Sequence, residues 1–296
     1  MNVPVRIDLH MHSTVSDGTD SPEEILAHVR DAGLSLFSVT DHDAVKAGRL
    51  LPPLLQPGDP AFLTGAEFSC RDEAGRYHIL GYGYDPDAPA IRQLVETGHR
   101  MRMKKVLGRL DFLQSEFGFR FPEEDLQELL AMDNPGKPHI AKLMIRLGYA
   151  ETMEQAIREY INRIYFRNEF FHPEEAIRSI LEGGGIPVLA HPSFGDGDQL
   201  IQGEEMERRL QRLMGFGLQG LEAFYSGFSP ALREELLAFA ERYGLYVTAG
   251  SDYHGTNKLV ALGDTGLDDA AAGPEGMQRF LADANILHAP ARPPEN

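Results

Sequence analysis

The run IDLHMHSTVSDG, residues 7–18, alternates apolar Ile7, Leu9 and Met11 with polar Asp8, His10 and His12, until Ser13, Ser16, Asp17 and Gly18 break the pattern. Alternation at period two reads as a β-strand and places His10 and His12 on one face. A half-buried strand with polar outward positions satisfies the same pattern, so the rest of the chain must decide. Working outward, the same polar types recur where other apolar runs end. SVTDHD closes on Asp41 and His42, GAEFS carries Glu67, YHILGY carries His78, IPVLAHP reaches His191, and TAGSDYH delivers Asp252 and His254. Six of the 11 histidines fall at such ends, a poor match to random scatter. In parallel α/β architectures the carboxyl ends of strands are where sites assemble.

With 296 residues, 42% hydrophobic and 25% charged, the chain can form one large α/β domain, or a domain with a sizeable insertion. No apolar stretch approaches the roughly 20 residues of a membrane span, and the N-terminus lacks a signal-peptide pattern. A cytoplasmic protein with no membrane partner is therefore expected. Cys70 is the only cysteine, which excludes an intrachain disulfide and suits a reducing compartment. The formal net charge of −17 argues against a broad surface tracking long nucleic acid, yet allows a small anion in a locally basic pocket. The oligomeric state is left open.

DSPEEILAHVRDAGL reads as a helix, with Ser21 as N-cap, Pro22 in the first turn and Glu24 completing a capping box. Strands and helices then alternate, which favours a parallel sheet or barrel with helices outside. The middle differs: from 88 to 171 only helical periodicity is found, punctuated by Gly118, Pro122, Pro135 and Gly136. The expected organisation is a barrel from 1–87 and 172–296, interrupted by a helical insertion at 88–171 that caps the pocket. The closing APARPPEN reads as a frayed tail.

Imidazole with carboxylate is a donor mixture suited to zinc, manganese or iron(II). A carboxylate such as Glu67 can bridge two cations about 3.5–4 Å apart that share an activated hydroxide. A nucleophile triad fits less well, because neither Cys70 nor any serine sits in a G-x-S-x-G elbow.

In this order, DLHMHSTVSDG, SVTDHD, GAEFS, HILGY, AHP and GSDYH resemble the PHP superfamily, named for polymerase and histidinol phosphatase, over about residues 6 to 266. The resemblance implies a distorted (β/α)7 barrel with two or three divalent ions. It implies one ion on His10, His12, Glu67 and Asp252, a second on Glu67, His78 and His191, and a third on Asp17, His42 and His254. Asp17 in place of a histidine looks like the branch of nucleoside-bisphosphate phosphatases, small-RNA exonucleases and cyclic-phosphate hydrolases. Gly18 would supply a permissive backbone at the turn that delivers Asp17.

The insertion carries the basic runs HRMRMKKVLGRL and GKPHIAKLM. Arg100, Lys104 and Lys105 read equally as a solvated face. By resemblance Arg102 matches a phosphatase arginine, and Lys137, His139 and Lys142 match a segment that helps hold substrate phosphate. Lys137 stands where the family has arginine, which loses a bidentate fork. Arg167 and His172 read equally as surface or pocket; Tyr165, Phe166, Phe170 and Phe171 could stack a base or pack a lid, and Phe194 and Tyr225 stand near the mouth. The expected function is metal-dependent hydrolysis of small phosphate esters, nucleoside mono- or bisphosphates or cyclic phosphates, by a metal-activated hydroxide. Asp17, Glu67, His191 and His254 are the expected catalytic residues. A 5′-end exonuclease on short RNA is the alternative, and a non-catalytic metal-binding module a weaker one.

Overall fold

The structure is a computed structural model that describes residues 5–166, 168–194 and 200–290. Arg167 and the tail from 291 onwards lie outside the described residues. The opening run is shorter as a strand than its alternation suggests. Strand β1 is Ile7–Asp8, after which the chain stays extended and Met11 bridges to Tyr253. Helix α1 (Pro22–Asp31) starts as its sequence dictates, with Ser21 and Glu24 forming a reciprocal capping box. Strand β2 (Leu36–Phe37), helix α2 (Lys46–Leu50) and strand β3 (Ala61–Leu63) follow.

Strands β4 (Gly65–Asp72) and β5 (Gly75–Tyr82) form an antiparallel hairpin rather than a parallel pair joined by a helix. After it come helices α3 (Pro89–Phe117), α4 (Glu123–Leu130), α5 (Lys137–Arg146) and the short α6 (Met153–Gln155). Then α7 (Pro173–Glu182), strand β6 (Ile186–Leu189), α8 (Gly203–Phe216), β7 (Gly220–Tyr225), α9 (Pro230–Tyr243) and β8 (Tyr246–Gly250) restore the alternation. Helix α10 (Glu275–Asp283) and strand β9 (Ile286–Leu287) close it.

The result is a mixed α/β fold with two sheets, ordered β1-β2-β3-β9 and β4-β5-β6-β7-β8. Among the described residues the ladders do not join into one closed sheet, and β9 and the β4-β5-β6 ladder are antiparallel. The sheets meet at two seams. At one, the Leu9 amide donates to the Ala249 carbonyl; at the other, the Glu67 amide donates to Asp41 and the Asp43 amide to Glu67. Both seams lie beside the histidine-bearing segments.

The largest apolar core lies between the five-stranded sheet and its helices, with Ile177 and Ile180 of α7, Leu236 of α9 and Phe280 of α10 fully buried. A second core packs α1 against the four-stranded sheet through Ile25, Val29, Phe37 and Phe62. The helices between β5 and α7 have a third core of their own, including Val106, Leu113, Ile140, Met144 and Ile161. No helix among the described residues is long and apolar enough to cross a membrane.

Buried acids fix the loops. Asp41 accepts from the Ser13 amide (2.8 Å) and from the Ser13 and Ser16 hydroxyls (both 2.7 Å), which shapes the turn before Asp17. Asp8 accepts from the Ser251 hydroxyl (2.6 Å) and the Gly263 amide (2.8 Å), which ties β1 to the segment after β8. Gly18 does not take a positive φ; a methyl group there would collide with the His12 carbonyl, so the requirement is close approach and not a left-handed backbone. Gly250 is equally confined, because a Cβ would strike His10 and the Glu222 carboxylate. Gly250→Ala should therefore destabilise the fold by about 1–3 kcal/mol through overpacking, read as a lower denaturation midpoint. An unchanged midpoint would contradict the close approach.

Candidate metal centre

The site grows from one buried carboxylate. Glu67 of β4 is 1% exposed, and a buried carboxylate needs compensation by charge or hydrogen bonds. Its Oε2 lies 3.4 Å from His10 Nε2, 3.2 Å from His12 Nε2 and 3.1 Å from His42 Nδ1. Its Oε1 lies 2.8 Å from His78 Nδ1 and 3.0 Å from His191 Nε2. The extended stretch after β1 does aim His10 and His12 at one point, since both also face Asp252 Oδ1, at 3.6 and 3.3 Å. Asp17 completes a neighbouring group, with Oδ1 3.4 Å from His254 Nε2 and 3.7 Å from His12 Nδ1, and Oδ2 3.9 Å from His42 Nε2. His42 thus faces both the Glu67 group and the Asp17 group.

These spacings suit shared cations. Donors on one ion at about 2.1 Å stand about 3.0–3.4 Å apart in octahedral or tetrahedral geometry. Hydrogen bonding leaves the donor set incomplete: His10 Nε2, His12 Nε2, His42 Nδ1 and His191 Nδ1 are buried without a hydrogen-bond partner. Buried polar atoms are rarely left so without a reason. Among the described residues four groups of His, Asp and Glu fall within ligand range, and three of them lie here: His12, Asp17, His42, His254; His10, His12, Glu67; and His42, Glu67, His78; the fourth, Asp72, Glu73 and His172, lies outside this cluster.

The electrostatics are correspondingly polarised. Burial works against a charged His10, but Glu222, Glu67 and Asp252 raise its pKa well above the ordinary value. His12 is likewise pushed up to about 9, against burial, by Asp252, Glu67 and Asp17. Burial alone would raise Asp17, Glu67 and Asp252, yet the surrounding imidazoles, and Lys258 for Asp252, hold all three well below the carboxylate range. In His42 burial wins and lowers the pKa to about 3. His254 is also lowered, mainly by burial.

Glu222 and Lys258, which sequence reasoning missed, and Tyr225, expected near the mouth, orient this cluster. Glu222, buried within β7, reaches His10 Nδ1 with one oxygen (3.0 Å) and accepts the His191 amide with the other (2.7 Å). A second partner on the far ring nitrogen fixes which nitrogen of His10 faces Glu67. The Tyr225 hydroxyl (2.9 Å) and Lys258 Nζ (2.6 Å) both donate to Asp252 Oδ2. Strain concentrates here: among the described residues the positive-φ non-glycine residues are Asp43, His191 and Asp252, at 51°, 26° and 59°. Such conformations persist where surrounding structure over-determines them.

A cavity of about 600 Å³ opens from the cluster towards α3 and α5. Asp17, His42, His78 and His191 line one side; Arg76, Arg102, Lys105, Arg109 and Lys137 line the other. Arg102 is buried and its Nη2 donates to Asp43 Oδ2 (2.7 Å), which clamps α3 to the residue after His42. Lys137 lies at the start of α5 and donates to Asn162 Oδ1 (2.6 Å). His139 does not line the cavity; its Nδ1 accepts the Gly136 amide and secures the helix start. Lys142 is exposed and also lies away from the cavity.

The basic face divides. Arg100 and Lys104 are exposed, and Lys104 pairs with Glu169, while Lys105 turns inward. Tyr165, Phe166 and Phe170 line the cavity and Phe171 belongs to the core. Phe194 lines both this cavity and a smaller one over the cluster, which Tyr225 and Lys258 also border. His172 is exposed and caps α7, accepting the Glu174 amide.

No protein-family model matches the chain. It is 31% identical over 258 residues to a phosphoribosyl 1,2-cyclic phosphate 1,2-diphosphodiesterase of Eggerthella lenta, covering 84% of this chain and 94% of the relative. A 3′,5′-nucleoside bisphosphate phosphatase of Chromobacterium violaceum is 28% identical over 84% of this chain and 87% of its own length. A 5′-3′ exoribonuclease of Haemophilus influenzae is 25% identical over 87% and 93%. Among solved structures, an amidohydrolase from Chromobacterium violaceum with bound sulfate superposes with a TM-score of 0.79 at 26% identity, covering 96% of this chain and 98% of that one. Fold and relatives together define a metal-dependent phosphoesterase class. The chain belongs to the PHP superfamily.

Lys137 carries a pH signature. Burial, with Arg109 and Arg76 nearby, lowers its pKa from 10.5 to about 8. Between those values the unfolded chain binds the extra proton, so stability should rise with pH through this window. The stability of wild type relative to Lys137→Met should therefore climb from about pH 8 towards 10.5, followed by denaturant titration. A pH-independent difference would place Lys137 in an ordinary solvated setting.

Proposed function

We propose that the protein hydrolyses small phosphate esters at a multinuclear divalent-metal centre. The observation that carries this reading is Glu67, whose two oxygens face five imidazoles in a buried cluster at one end of a cationic cavity. His10, His12, Glu67 and Asp252 would hold one ion; Glu67, His78 and His191 a second; Asp17, His42 and His254 a third. Manganese, iron and zinc all suit such donors. Bound there, divalent ions supply an activated water and neutralise charge on the phosphoryl oxygens.

The chain's own groups do the rest. Tyr225 and Lys258 hold Asp252 by one oxygen and leave the other facing His10 and His12. Glu222 keeps His10 in the orientation that directs its Nε2 at Glu67. His191 lines the cavity beside the cluster, and it or His254 would give a proton to the leaving oxygen where not engaged as a ligand. Arg102 and Lys137 place cationic donors on the cavity wall that faces the cluster, which favours a bound phosphate. The two sheets, joined at the Leu9–Ala249 and Asp41–Glu67 seams, are read as the wall of a distorted (β/α)7 barrel. Residues 88–171 are read as a substrate cap inserted into it, because their helices pack around a separate apolar core.

The substrate class proposed is a nucleoside bisphosphate or a cyclic sugar or nucleotide phosphate, by likeness to the Chromobacterium and Eggerthella relatives. The Haemophilus exoribonuclease supports a second reading, a short RNA entering by its 5′ end. A net charge of −17 favours the small substrate over a long polyanion.

Two outcomes are expected. Purified protein should carry two to three divalent ions per chain, and chelation should abolish phosphate release until manganese or zinc is returned. Asp252→Ala should lower kcat by about 100-fold or more, the scale of losing a group that stabilises charge in the transition state. A screen of phosphate release over bisphosphate, cyclic and aryl phosphates, with elemental analysis of the same sample, tests both. Full turnover by metal-free protein, or by Asp252→Ala with its metals intact, would contradict the reading. Long single-stranded RNA degraded as fast as a dinucleotide would favour the exonuclease.

A further inference from the structure

His42 differs from the rest of the imidazole cluster in what holds its backbone. Asp252 is fixed by Tyr225 and Lys258, His10 and His191 by Glu222, and the turn before Asp17 by Asp41. None of these partners belongs to the helical segment 88–171. The His42 carbonyl instead accepts from the side-chain amide of Asn134, in the loop between α4 and α5. Asn134 is itself buried. Among the described residues no other member of the cluster takes a hydrogen bond from 88–171.

The next residue is gripped by the same segment. Asp43 is buried with φ at 51°, a conformation that a non-glycine residue keeps only where its surroundings over-determine it. Its amide donates to the Glu67 carbonyl, its Oδ1 accepts the Ser69 amide (2.9 Å) and its Oδ2 accepts Arg102 Nη2 of α3 (2.7 Å). One turn earlier on α3, Gly98 allows a close approach: a Cβ there would lie 3.0 Å from Asp43 Cβ and 3.0 Å from the Phe171 ring. Helix α3 and the loop before α5 thus hold the dipeptide His42–Asp43 through separate contacts. The ring so held faces Glu67 with Nδ1 (3.1 Å) and Asp17 with Nε2 (3.9 Å). The second is the widest of the three imidazole spacings around Asp17.

We propose that Asn134 is a positioning residue of the metal centre, and that the seating of residues 88–171 on His42 completes the ion site of Asp17, His42 and His254. The inference deepens the phosphoesterase reading and rests on it for the assignment of ions to ligands. A donor on the His42 carbonyl fixes that peptide plane, and the Arg102–Asp43 pair fixes the residue beyond it, so the ring has a defined origin. Metal–ligand distances tolerate about 0.2 Å, and losing an outer contact that orients a ligand costs about 10- to 100-fold in metal affinity. His10, His191 and Asp252 keep their own supports when the segment shifts, so the effect is confined to an ion that uses His42. The segment then has a role in loading metal, distinct from lining the cavity.

Titration of chelator-treated protein with manganese(II), followed by the paramagnetic resonance of the free ion, tests this without turnover. Asn134→Ala should weaken one of the ions bound by wild type by about 10-fold or more and leave the others unchanged. Gly98→Val presses α3 away from Asp43 while removing no polar group, and it should weaken the same ion. That variant keeps the test decisive where Asn134→Ala folds poorly. Lys46→Ala removes only the exposed Lys46–Asp133 pair between the same two segments and should leave every affinity as in wild type. In turnover Asn134→Ala should lose kcat with KM little changed, and excess manganese should restore it. Unchanged affinities in the folded variants, or equal weakening of all ions, overturns the inference and leaves the phosphoesterase reading standing. A raised KM that excess metal does not reverse would place Asn134 in substrate binding and also overturn it. Wild type that takes up no manganese overturns that reading, and the inference with it.

Discussion

The arrangement depends on a carboxylate that has no place in an apolar interior unless cations surround it. Glu67 sits almost fully buried at the seam between the two sheets, with its backbone paired to Asp41 and Asp43 and its side chain facing five imidazoles. The seam therefore brings the segments after β1, β2 and β6, and the middle of β5, to one point. Buried charge of this kind does little for stability and is retained where it serves a site. The strained backbones of His191 and Asp252 and the tight approach of Gly250 to His10 follow from the same convergence.

Much of the site was legible because metal-ligand chemistry uses few residue types and the fold places them at segment ends. His10, His12, Asp17, His42, Glu67, His78, His191, Asp252 and His254 stand out as polar interruptions of apolar runs, and the structure gathers them into one cluster. Glu222 was not legible. Inside GLQGLEAFY it has the signature of an ordinary outward-facing strand residue, and only tertiary packing turns it onto His10. Lys258 and Tyr225 reach Asp252 from loop and strand-end positions that no local period marks.

The fold was legible more coarsely. Alternation predicted strands and helices in nearly the right order, but not the antiparallel β4-β5 hairpin, because the two-residue turn at Glu73 and Ala74 leaves no helix between them. The cap helix α3 shows a sharper limit. Arg102, Lys105 and Arg109 lie at i, i+3 and i+7, one helical face, and that face is buried. Pattern reading assigns charged residues to water, so it splits such a face between pocket and surface. The i, i+3, i+7 spacing of the cations was the available signal, and an acidic chain made it more telling. Arg102 meanwhile joins cap and centre, since its partner Asp43 follows His42 directly.

The account stands on Glu67 serving more than one ion, and a metal-to-protein ratio measured on Glu67→Gln tests this most directly. Glutamine keeps the volume and one carbonyl oxygen but removes the charge and one acceptor oxygen. With the variant folded as judged by circular dichroism, elemental analysis should show a loss of more than one metal equivalent relative to wild type. An unchanged ratio, or the loss of no more than one equivalent, would contradict a bridging role for Glu67.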